Sequence, residues 1–213
     1  MSDFFRMIDT IMCIFWVSTY ALVLIGSFKY KYPMISLDAQ AMIAPYEIAI
    51  VISFFAIDSI FNYAIAAYMI WSLLQITIIT FTILYGNLKN KYIPVYLLFF
   101  VAVTMQMVYM VVYKDEAFLF ANLNTFVGMI FWFIHILKKG YPMRPLALAA
   151  FSTKFVADVL GAITYLGEGK PLANTLSVLI PVVDLAFIIV FAVRMLQKKG
   201  KKQTVDMSTD VSE

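Results

Sequence analysis

The chain alternates between long apolar runs and short polar breaks. The runs fall near 8–27, 35–57, 64–86, 93–113, 119–137, 145–166 and 173–196. Between them stand "SFKYKYP", "DSIFN", "GNLKNKY", "KDEA", "KKGYPMRP" and "GEGKP", each marked by charge, Gly or Pro. A helix rises about 1.5 Å per residue, so some 20 apolar residues cross a hydrocarbon core of roughly 30 Å. The pattern predicts an all-α membrane protein with seven transmembrane helices in one domain over 1–197. Residues 198–213, "KKGKKQTVDMSTDVSE", read as a basic, polar, disordered tail.

Composition removes the soluble alternatives. Of the 213 residues, 63% are hydrophobic and 14% charged, too little charge to clothe a water-soluble surface. Cys13 is the single cysteine and His135 the single histidine, so neither an internal disulfide nor a CxxC or His-cluster metal site can be built. Acids precede the first apolar run and no small-residue cleavage site follows it, so it reads as a retained helix and not a signal peptide.

Charge sets an expected orientation. With seven alternating helices, one face collects Lys29, Lys31, Lys89, Lys91, Lys138, Lys139, Arg144, Arg194, Lys198, Lys199, Lys201 and Lys202. The other has Arg6, Lys114 and Lys170. The positive-inside rule then places the C-terminus in the cytoplasm and the N-terminus outside or in a lumen. That membrane is the endoplasmic reticulum in a eukaryote, or the inner or plasma membrane in a bacterium. The basic tail suits anionic lipid, and no nucleic acid is implied.

The chain also echoes itself. At an offset of 109 residues, Lys29, Tyr32, Pro33, Met34, Leu37 and Ala41 match Lys138, Tyr141, Pro142, Met143, Leu146 and Ala150. The same offset lays Gln75 on Asp184. Such matching predicts a 3+1+3 parallel repeat, with halves of about 8–86 and 119–196 and a linker helix over 93–113. The alternative is a chance likeness of two loop-to-helix junctions. Pro33 and Pro142 suit helix starts, and Tyr32 and Tyr141 suit the interfacial belt.

Polar residues at mid-depth carry the chemistry. Glu47, Gln75, Asp158 and Asp184 fall at comparable depth in the second, third, sixth and seventh runs. Gln40 lies seven before Glu47 on one helix face. Tyr68, Ser72, Gln75 and Thr82 form one stripe, and Asn124, Gly128 and His135 another. Lipid satisfies none of them, so they are expected to face a shared cavity walled by aromatics such as Tyr46, Tyr68 and Trp71. Lys154 and Asp158, four apart, read as a structural ion pair. Gln75 and Gln106 are ordinary interhelical bonding residues, Asp38 and Asp58 solvated helix-end acids, and His135 interfacial. Glu47 and Asp184 have no cation near in sequence. Desolvation favours the neutral, proton-carrying form of such an acid, which can then protonate an epoxide or an alkene. Proton-coupled transport could use the same groups.

The pattern resembles the small integral-membrane terpene cyclases of meroterpenoid biosynthesis, found in fungi with relatives in bacteria. The likeness lies in length, seven spans, "YPM" at 32–34, "YE" at 46–47 and "PVVDLAF" around Asp184. Tyr46 stands where that family usually has Trp. The resemblance implies an isomerase- or lyase-type cyclase acting on a prenylated hydrophobic substrate, with Glu47 and Asp184 catalytic. Substrate-binding residues would be Gln40, Tyr46, Tyr68, Trp71, Gln75, Asn124 and Asp158. The DDxxD and DxDD signatures of soluble terpene cyclases are absent, so no metal or other cofactor is expected.

A 3+1+3 transporter of small solutes, proton-coupled or not, stays open as the alternative. The Pro-Gln pair of one transporter branch is missing, and the prolines at 45, 94 and 181 break the repeat. A retinal photoreceptor would need a lysine in the seventh run, whereas the mid-membrane lysine, Lys154, is in the sixth. A non-catalytic scaffold would leave the buried acids without a purpose.

Overall fold

Proline, serine and the membrane's thickness decide where the helices start and stop. The computed structural model describes residues 3–56, 63–86, 92–113, 117–138, 141, 144–166 and 171–209. They form α1 (Asp3–Tyr30), α2 (Leu37–Ala56), α3 (Tyr63–Tyr85), α4 (Ile93–Tyr113), α5 (Ala117–Leu137), α6 (Pro145–Tyr165) and α7 (Pro171–Thr209). All seven are long and apolar enough to cross a membrane, and no strand occurs among the described residues. Pro145 opens α6 behind an extended Arg144, where a missing N–H costs nothing. Ser36 caps α2, its Oγ accepting from the Ala39 N–H at 3.3 Å. Asp58, Pro142, Met143, Lys89, Lys91, Lys114, Lys139 and Lys170 lie outside the described residues, as do the side chains of Arg6, Lys198, Lys199, Lys201 and Lys202.

The last helix departs from expectation. α7 continues past Gln197 to Thr209, through most of the segment read as a disordered tail. Lys and Gln are good helix formers, and the single Gly200 does not stop a helix already running.

The bundle is inverted in polarity, as lipid solvent requires. Leu98 is 72% exposed, while Gln40, Gln75, Lys154 and Asp184 are fully buried. α3 packs on α1 and α2, and α7 packs on α5 and α6. Across the middle, α1 crosses α6 and α2 crosses α5, while α4 packs on the outside of α2. Thr19 and Thr153 share a 2.9 Å hydrogen bond at the α1/α6 crossing. At the α2/α5 crossing Gly128 takes the close contact. A Cβ there would stand 2.5 Å from Ile43 Cγ1 and 3.1 Å from the Ala39 carbonyl oxygen.

One end of the bundle is closed by backbone. The link from α1 to α2 is non-helical, yet Pro33, Met34, Ile35 and Ser36 are buried. Such backbone survives only if its polar groups find partners inside the protein. The Met34 N–H donates to Ser27 Oγ at 3.1 Å, and the Met34 carbonyl accepts from Trp132 Nε1 at 2.8 Å and the Tyr141 hydroxyl at 3.0 Å. His135 Nε2 donates to the Pro33 carbonyl at 2.8 Å, and Thr82 Oγ1 donates to that of Ile35 at 3.3 Å. Burial pushes the Tyr141 phenol well above its ordinary pKa, so the hydroxyl remains a donor. Lys31 ends α1 in the left-handed conformation at φ 50°, letting the Tyr32 N–H return to the Ser27 carbonyl.

Candidate functional site

The opposite half of the bundle, nearer the N-terminus, holds a cavity of about 170 Å³. Its walls include Glu47 from α2, Asp158 from α6, and an aromatic set from α1, α2 and α3. Trp16, Trp71, Tyr68 and Tyr46 follow one another around it. Trp16 meets Trp71 at 6.1 Å, Trp71 meets Tyr68 edge-on at 4.9 Å, and Tyr68 meets Tyr46 edge-on at 6.1 Å. Such edge contacts fix ring orientation. Pro45 lies two residues before Glu47; having no N–H, it leaves the Ala41 carbonyl without its intrahelical donor.

Glu47 has the environment expected of it. It is buried beside the cavity, Tyr20 donates to its Oε1 at 3.3 Å, and its Oε2 has no hydrogen-bond partner. Among the described residues it forms no salt bridge. One oxygen is held by Tyr20, and the other is buried without a partner.

Asp184 does not share that chamber, which corrects the expected pairing. It is absent from the cavity wall, and both of its oxygens accept from Lys154 Nζ, at 3.0 and 3.1 Å. Lys154 also pairs with Asp158, so the expected α6 ion pair is present but is half of a larger unit. The lysine amine lies 3.2 Å from Met129 Sδ and 5.1 Å from the centre of the Trp16 ring. α6 and α7 pack side by side, so the cation missing near Asp184 in sequence arrives from the neighbouring helix. One amine thus bridges two acidic side chains deep in the bundle, with Asp158 as the cavity-facing member.

The remaining expected residues divide. Tyr46, Tyr68 and Trp71 line the cavity. Gln40 and Gln75 are fully buried but do not line it, and the Gln40 amide has no hydrogen-bond partner. Asn124 turns away to Met107 Sδ at 3.6 Å. Its place is taken by Asn122 and Thr125, one helical turn apart, with Asn122 Nδ2 donating to Ser177 Oγ at 3.2 Å. Sequence reasoning missed Trp16, Tyr20, Asn122, Thr125 and Ser177. A signal existed for the first two, since an i, i+4 aromatic pair on α1 gives one apolar face a polar edge.

Chemically, the cavity joins a carboxyl group with no cation beside it, a second carboxyl group in an ion pair and a set of aromatic rings. Among the described residues no three His, Cys, Asp or Glu side chains are grouped as metal ligands. Compared with known families, curated proteins and solved structures, the chain matches none.

Proposed function

We propose that the protein is a membrane-embedded cyclase that starts ring closure by protonating an epoxide or alkene of a prenylated hydrophobic substrate. The observation that carries this reading is Glu47, a buried carboxyl group without a cation beside it on the wall of an aromatic cavity. Without a cation beside it, desolvation favours the carboxylic acid, which is the form that donates. Tyr20 fixes the acid's orientation through Oε1. The rings of Trp71, Tyr46 and Tyr68 on the wall then stabilise the cation, each by about 0.5–2 kcal/mol.

The cavity is smaller than the roughly 300–1,000 Å³ of sites that engulf a drug-sized ligand. In this reading it takes the reacting end of the prenyl chain, and the rest extends beyond it. Glu47 is the initiating acid. Asp184, expected as its catalytic partner, instead anchors Lys154.

The 3+1+3 repeat belongs to the same proposal and is supported by packing. Among the six helices other than α4, replacing α1, α2 and α3 by α5, α6 and α7 turns each packed pair into another packed pair: α1/α3 into α5/α7, α2/α3 into α6/α7, and α1/α6 into α5/α2; α4 packs on α2 without a counterpart on α6. The charge distribution supports an outside N-terminus and a cytoplasmic C-terminus, with the backbone-closed end facing the cytoplasm. The same packing, with a cavity towards one end and a closure at the other, favours a proton-coupled transporter as the second reading.

One experiment separates them. Membranes containing the protein are incubated with farnesyl and geranylgeranyl arenes, with and without a terminal epoxide. Conversion to cyclised product that Glu47→Gln abolishes, with the variant inserted at wild-type level, supports the cyclase. Conversion retained in the variant, or solute uptake by proteoliposomes without conversion, overturns it.

A further inference from the structure

The Lys154 cluster has a part in the proposed reaction that Glu47 cannot fill. A cyclisation opened by proton addition must close by proton loss if the product is an isomer of the substrate. Glu47, once deprotonated, stands where the chain was attacked and not where the cation finishes. Asp158 is the other carboxyl on the cavity wall. Its neighbours one turn on, Gly161 and Ala162, are small and line the same wall, leaving room beside the carboxylate.

We infer that Asp158 is the base that ends the cyclisation, held as a carboxylate by Lys154, with Asp184 as the residue that positions Lys154; this rests on the cyclase reading. Lys154 is fully buried, and its amine is shared between Asp158 and the two oxygens of Asp184. Asp184 is fully buried and off the cavity wall, so it acts through the lysine and does not touch the substrate. The Trp16 ring, 5.1 Å from the amine, is also part of the cavity wall. It joins the ion cluster to the aromatic lining.

The step balances. A C–H bond next to the final cationic carbon breaks, its electron pair becomes the new alkene, and Asp158 takes the proton. Before the next turnover Asp158 releases its proton to solvent and Glu47 takes one up from solvent, so that both groups return to their starting states. The net reaction is an isomerisation that uses no oxidant, reductant or co-reactant. It also assigns the substrate class: a polyene whose last cation bears an adjacent hydrogen, in place of one captured by water or an internal hydroxyl.

The test is product composition. Membranes with wild-type protein or Asp158→Asn receive the same panel of farnesyl and geranylgeranyl arenes. The variant is expected still to consume substrate, because initiation at Glu47 precedes the step assigned to Asp158. Its main product should fall below half of the total, replaced by early-deprotonated and water-quenched compounds. Asp158→Glu, which keeps the carboxylate and the ion pair, should restore the wild-type main product. If Asp158→Asn does not accumulate in membranes, Lys154→Met with Asp184→Asn, which removes the cation and one of its two acids together, supplies the same test. An unchanged product ratio at any rate reduces Asp158 to a structural role and overturns the inference while leaving the cyclase reading intact. Loss of all consumption in an inserted Asp158→Asn protein overturns it too, since the residue would then be needed for initiation. No conversion by wild type overturns both.

Discussion

Tyr32 and Tyr141, each the first residue of a Tyr-Pro-Met and 109 positions apart, meet edge-on with their ring centres 5.7 Å apart. Both touch His135, Tyr32 by stacking at 5.7 Å and Tyr141 by its edge at 5.6 Å. The motif first read as a helix-start signal is thus also part of the closure. Its first copy supplies the buried Met34 carbonyl, and the second copy's tyrosine donates to it.

That carbonyl gives a non-additive prediction. It accepts from Trp132 and from Tyr141, so either donor alone keeps it satisfied. Tyr141→Phe should cost about 1 kcal/mol. Tyr141→Phe with Trp132→Phe should cost roughly 1 kcal/mol more than the sum of the single changes, because the pair leaves a buried carbonyl orphaned. Thermal unfolding in detergent, run as a double-mutant cycle, measures the coupling; additive losses would contradict it.

The crossing of α2 and α5 gives a steric one. Gly128→Ala places a methyl group against Ile43 and the Ala39 carbonyl, and should destabilise by about 1–3 kcal/mol. Ile43→Ala removes the nearer obstacle. The double variant should therefore unfold less far below Ile43→Ala than Gly128→Ala does below wild type. Equal shifts in both backgrounds would mean that Ile43 is not what limits the approach.

Charge balance around Lys154 predicts an unusual rescue. Lys154→Met leaves two buried carboxylates without their cation and should cost about 3–5 kcal/mol. Adding Asp184→Asn removes one of those charges and should recover part of the loss. Stability measured for the three variants in one detergent gives the comparison, and a double variant less stable than Lys154→Met would contradict the account.

Tyr20 gives a kinetic prediction. Tyr20→Phe removes the donor to Glu47 Oε1 while keeping the ring that stacks on Trp16 at 5.5 Å. A lost hydrogen bond of about 1.4 kcal/mol lowers the conversion rate roughly tenfold. Initial rates in membranes at matched protein levels measure it. An undiminished rate would remove Tyr20 from the mechanism.

The seven spans were legible because bilayer thickness fixes their length and lipid excludes charge from their sides. The end of α7 was not, since beyond the membrane only weak helix propensity decides. Within the site, Glu47 and the Tyr46–Tyr68–Trp71 wall were legible from depth and helical spacing. Asp184 was misread because its cation sits 30 residues away on another helix. No spacing rule along one chain finds such a partner. Asn124 was chosen over Asn122 because a stripe drawn through Gly128 and His135 carries a phase error of two residues, enough to turn a side chain to another face. Tyr20, one of 13 tyrosines, shows its role only once α1 lies beside the acid on α2.

The most direct measurement of the central claim is solvent-deuterium incorporation during turnover of a prenylated arene. If Glu47 begins the reaction by proton transfer, the wild-type product formed in D₂O carries deuterium at the initiating site, on the epoxide-derived oxygen before work-up or on the terminal alkene carbon. For the alkene substrate this label is permanent, and mass spectrometry should find it in the cyclised product, with Glu47→Gln forming none. Cyclised product from the alkene substrate without deuterium at that carbon, or labelled product from Glu47→Gln, would contradict the account.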